Sequence, residues 1–113
     1  MPKADAFLRG FGLTSGKTLA GYTLISATST HVPIKRYHEY RYDITLTFKN
    51  NGTGMYENLF HALYPYISLE HTIYGTRNPY RCIIDDPQDG HIDVLSDGTV
   101  IFRLTGHSHR VYN

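Results

Sequence analysis

No tryptophan, one cysteine and no long apolar run occur in this chain of 113 residues. Each absence removes a class of protein. The lone Cys82 excludes an internal disulfide. The longest apolar runs are a few residues, far short of the roughly 20 that a membrane-spanning helix needs. Eleven Lys+Arg against ten Asp+Glu leave a net charge of +1, so no global field pulls the chain toward nucleic acid or anionic lipid. The opening MPKADAFLRG carries no apolar signal region, so a cytosolic or already trimmed chain is expected. No Cys/His set has the spacing of a closed zinc site, so neither a structural metal nor a cofactor is expected.

What is present is the composition of a globular domain: 41% hydrophobic and 19% charged. A chain of this length can bury roughly two-thirds of its unfolded surface, enough for one core. A single domain over residues 1–113 is expected. The aromatic set is Tyr-heavy, with ten tyrosines, five phenylalanines and seven histidines. Tyrosine suits half-buried sheet surfaces, base stacking and protein interfaces alike.

Residues 1–16 hold Gly10, Gly12 and Gly16 and a short Phe7-Leu8, Phe11 cluster, which reads as a loose arm or one short helix. Thr18 to Thr30 is rich in Thr, Ser and β-branched residues and reads as a strand, broken by Pro33. From Tyr40 to Phe48 the pattern is strictly alternating. Tyr40, Tyr42, Ile44, Leu46 and Phe48 fall on one face, and Arg41, Asp43, Thr45 and Thr47 on the other. Period two is the signature of a half-buried strand. Asn50-Asn51-Gly52 then turns the chain. Met55, Leu59, Ala62 and Leu63 recur at helical spacing, with Thr53 placed to cap the helix and Pro65 expected to stop it at Tyr64. Beyond a mixed stretch to Asn78, three strands are predicted, about Pro79–Asp85, His91–Leu95 and Thr99–Thr105, as a meander with a two-residue Asp97-Gly98 hairpin. The order β-β-α-β-β-β predicts an α+β domain, a twisted antiparallel sheet of about five strands with one helix on its apolar face.

Three groups of residues could carry chemistry. Alternation puts Glu39 on the wet face with Arg41 and Asp43, where a carboxylate is either a solvated charge or a general base. His107 and His109 project together from the last strand. They can chelate a metal only with a third ligand such as His38, His71 or His91, or act as proton-transfer groups near neutral pH. Arg77 and Arg81 bracket the start of a strand, and Arg81 faces away from Tyr80, Cys82 and Ile84; a fixed guanidinium suits phosphate. Cys82 alternates with core residues and reads as buried and inert.

In order along the chain, Tyr37-His38-Glu39-Tyr40, then Gly75-Thr76-Arg77 to Arg81-Cys82-Ile83-Ile84, then Thr105-Gly106-His107 resemble the catalytic stretches of the barnase-like microbial guanyl-preferring ribonucleases. The Ser96-Asp97-Gly98 turn before an apolar strand and a histidine is similar to that family's C-terminal hairpin, and related bacterial toxin domains end similarly. The resemblance implies a metal-independent endoribonuclease with Glu39 as base, His107 as acid and Arg81, or Arg77 or Arg103, on the phosphoryl oxygens. Tyr37 or Tyr80 would stack the base, with His109 alongside, and RNA would be the partner. The alternative from another class is a small non-enzymatic interaction module, such as an immunity protein, phage-encoded inhibitor or assembly subunit. It would require Tyr22, Tyr56, Tyr64, Tyr66 and Tyr74 to form one exposed patch on which a protein partner docks.

Overall fold

The computed structural model describes residues 8–34, 39–68, 71–74, 79–85 and 91–110. The fold is α+β. Its strands are β1 (Thr18–Leu19), β2 (Tyr22–Ile34), β3 (Glu39–Asn50), β4 (His71–Tyr74), β5 (Pro79–Ile84), β6 (His91–Val94) and β7 (Val100–Arg110), and a twelve-residue helix α1 (Tyr56–Ile67) lies between β3 and β4. All strand pairs are antiparallel. The sheet runs β1-β2-β3-β7-β5-β4, with β6 also paired to β7. No helix among the described residues is long and apolar enough to cross a membrane.

The alternation of β3 sets the two faces. Tyr42, Ile44, Leu46 and Phe48 are buried, and they meet Val100, Phe102 and Leu104 of β7 in one core. Phe48 and Phe102 pack edge to face, their centroids 5.8 Å apart. Leu59, Leu63 and Ile67, on one stripe of α1, close that core. The other face of β3, β5 and β7 carries the polar residues and stays open.

Residues 18–34 form two strands, because Ala20 and Gly21 take positive φ in a tight turn. Pro33 does not end β2; there β2 has a neighbouring strand on only one side among the described residues, so a missing N–H costs little. Helix α1 runs through Pro65 to Ile67, since burial of Ile67 offsets the bond that Pro65, lacking an N–H, cannot donate one turn back. Its N-cap is Met55 rather than Thr53. The preceding turn is held instead by Asn50, whose Oδ1 accepts from the N–H groups of Gly52 and Gly54 at 2.8 and 3.0 Å. Gly54 is required there, because a Cβ would strike the buried Tyr22 ring.

The C-terminal strands are not a meander. Strands β6 and β5 lie end to end along one edge of β7, against Val100–Arg103 and Gly106–Arg110 respectively. The hairpin loop is three residues, Ser96-Asp97-Gly98, with Gly98 N–H donating to the Leu95 carbonyl and Gly98 at φ 90. Strand β4 arises from the stretch that carried no clear period. Residues 8–10 are helical and Leu8, Phe11 and Leu13 are docked in the core at 3%, 2% and 1% exposure, so from residue 8 onward the N-terminal segment follows the short-helix expectation and not the loose arm.

Candidate functional site

On the open face the register lines side chains up in rows across β3, β7 and β5. One row is Glu39, His109, Arg81, in which His109 is the direct partner of both flanking residues. The next is Arg41, His107, Ile83, and the third is Asp43, Thr105 and Asp85. Directly opposed residues in antiparallel strands lie about 5 Å apart and diagonal ones about 7–8 Å. His107 is therefore diagonal to both Glu39 and Arg81. The sequence-predicted trio falls in two adjacent rows, with His109 at its centre.

His107 is oriented by Asp85. Its Nδ1 lies 2.9 Å from Asp85 Oδ1, while Thr105 Oγ1 donates to Asp85 Oδ2 at 2.9 Å. The Asp85 N–H is itself bonded to the Thr105 carbonyl at 2.9 Å, which fixes the carboxylate just past the end of β5. His107 and Asp85 are partly exposed, with side chains 41% and 40% accessible, so a ligand can reach the pair.

Other sequence-predicted residues fall elsewhere. Tyr80 is 2% exposed on the core face, its ring 6.3 Å from that of Tyr40, and is therefore closed to an incoming base. Arg103 is two rows from His107 and forms an ion pair with Asp93 of β6. Tyr37 and Arg77 lie outside the described residues. Sequence reasoning left out Asp85 and Arg41 as site residues, although alternation already aligned Asp85 with Arg81 and Arg41 with Glu39. Among the described residues no group of three or more His, Cys, Asp or Glu side chains converges as a metal site.

The third row and the row beyond it, Thr45, Arg103 and His91, border a shallow depression of about 360 Å³, lined by Asp43, Thr45, His91, Arg103 and Thr105. The open face is electrically mixed: Arg41, Arg81 and Arg103 share it with Glu39, Asp43, Asp85 and Asp93. The core face below is different. Tyr42 and Ser108 exchange a buried hydrogen bond of 3.1 Å, and burial pushes the Tyr42 hydroxyl up to about 12. His31 lies edge-on to Tyr40 there.

Of the five tyrosines expected to form a docking patch, Tyr56 is half-buried and the side chain of Tyr74 lies outside the described residues. Tyr22 is buried, Tyr66 is half-buried with the Lys17 ammonium 4.3 Å above its ring, and Tyr64 is exposed at 46%. No family model, curated protein or solved structure matches the chain.

Proposed function

We propose that the open face cleaves RNA by metal-independent phosphodiester transfer. The observation that carries this reading is the diagonal placement of His107 against both Glu39 and Arg81, with Arg41 opposite it. A phosphodiester lying over His109 would then have the Glu39 carboxylate on one side, the Arg81 guanidinium on the other and the His107 imidazole in the adjacent row. Ionised Glu39 takes the proton of the 2′-hydroxyl as its oxygen bonds to phosphorus. Protonated His107 gives its proton to the 5′-oxygen as the P–O5′ bond breaks. The products are a 2′,3′-cyclic phosphate and a free 5′-hydroxyl. Arg81 and Arg41 bind the non-bridging oxygens, where charge gathers in the transition state.

The motif resemblance to the barnase-like ribonucleases supports the same assignment of Glu39, Arg81 and His107. The interaction-module reading has less support, since Tyr22 is in the core and Tyr66 lies beneath Lys17. The test is incubation of a defined RNA at about pH 4–9, with chelator and with added divalent metal. Fragments ending in 2′,3′-cyclic phosphate in the chelated sample are expected. Intact RNA under every condition would reject the proposal.

A further inference from the structure

We infer that Asp85 is a positioning residue that holds His107 in one tautomer and aims its Nε2 at the ligand. An ionised carboxylate only accepts hydrogen bonds, so the 2.9 Å contact requires the proton on His107 Nδ1. Nε2, across the ring, is then the atom that exchanges protons with whatever lies on the open face. The carboxylate is placed independently of the histidine. The Asp85 N–H bonds to the Thr105 carbonyl, and Thr105 Oγ1 takes up Oδ2, leaving Oδ1 for His107. Such an arrangement is set before ligand arrives and needs no rearrangement during proton transfer.

The surroundings assign each neighbour a separate task. Arg41 faces His107 from β3, Ile83 faces it from β5, and His109 follows it on β7. The Arg41 cation cannot accept the Nδ1 proton, and Ile83 is apolar, so Asp85 is the acceptor that fixes the ring. During transfer Asp85 stays ionised and stabilises the imidazolium, and the proton leaves and returns through Nε2 alone.

The catalytic consequence rests on the ribonuclease reading; the tautomer does not, and the experiment separates the two. In protein with ¹⁵N-labelled histidine at about pH 8, where an ordinary imidazole is neutral, wild-type His107 should show a protonated Nδ1 and a bare Nε2. Asp85→Ala should move His107 toward a mixture of tautomers. With RNA as substrate, Asp85→Ala should lower kcat about 10–100-fold while KM changes less than about twofold. Added to His107→Gln it should lower kcat no further, because Asp85 acts through His107. A wild-type His107 protonated on Nε2 with Nδ1 bare would overturn the inference even if Asp85→Ala failed to fold. So would an additive loss in the double variant. The expected tautomer in a protein that leaves RNA intact would sustain the positioning role and reject the ribonuclease reading.

Discussion

Glu39 of β3 is the direct cross-strand partner of His109 of β7, and this single register relation decides the geometry of the open face. It puts His107 one diagonal step from Glu39. Strand β5 completes the arrangement by setting Arg81 against the far side of His109. Had β7 slipped by one residue, both histidines would have turned into the core and Ser108 outward. The buried Tyr42–Ser108 hydrogen bond opposes that slip from beneath.

If Glu39 is the base and His107 the acid, the cleavage rate should follow a bell in pH. Glu39 must be ionised, which sets the acidic limb, and His107 must be protonated, which sets the alkaline one. Glu39→Gln should flatten the acidic limb and His107→Gln the alkaline limb, each slowing cleavage about 10²–10⁴-fold. Thermal melts should barely move, as both residues lie off the core. Equal loss in both variants with unchanged limbs would contradict these roles.

Because the open face mixes three arginines with carboxylates, binding to a polyanion should depend only weakly on salt. Arg41 and Arg81 acting on single-stranded RNA release about two counterions, a slope of log affinity against log salt near about −1.4. Arg81→Ala should reduce its magnitude by about 0.7. A slope several times steeper would mean that RNA lies on another, more basic surface.

The core face should respond to truncation and the open face should not. Ile44→Ala is expected to cost about 2–4 kcal/mol in denaturant melts, and Thr45→Ala well under about 1 kcal/mol. Gly54→Ala should cost about 1–3 kcal/mol by driving a methyl group into the Tyr22 ring. Equal costs at Ile44 and Thr45 would contradict the facing of β3.

Tyr42 should make the fold sensitive to alkali. Its hydroxyl is pushed from 10.0 to about 12 by burial, so folding favours the neutral form. The associated stability is fully present below the unfolded value near pH 10 and is lost as pH rises toward about 12, by about 2–3 kcal/mol. Tyr42→Phe should flatten that decline while costing about 1 kcal/mol at neutral pH, where the bond to Ser108 is gone. An unchanged alkaline decline in Tyr42→Phe would assign it to another group.

The faces of the sheet were legible because alternation is local. Tyr42 and Ile44 against Arg41 and Asp43, Cys82 inward and Arg81 outward all follow from period two. The partner of each strand was not legible, since lateral pairing depends on turns and on distant apolar contacts. Hence β5 and β6 share one edge of β7, where local signals suggested a meander. Hence also His109 rather than His107 stands between Glu39 and Arg81, and Asp85 reaches His107 across a strand pair. The docking of Leu8, Phe11 and Leu13, and the run of α1 past Pro65, likewise reflect a core assembled from residues far apart in sequence.

The most direct test of the account is where a short RNA analogue lacking the attacking 2′-hydroxyl perturbs the amide and side-chain resonances of the intact protein. The account expects shifts concentrated at Glu39, Arg41, Arg81, His107 and His109, with the Leu59–Ile67 stripe of α1 unaffected. Shifts centred on α1, or none at millimolar analogue, would contradict the claim that the open face of β3, β7 and β5 is the functional surface.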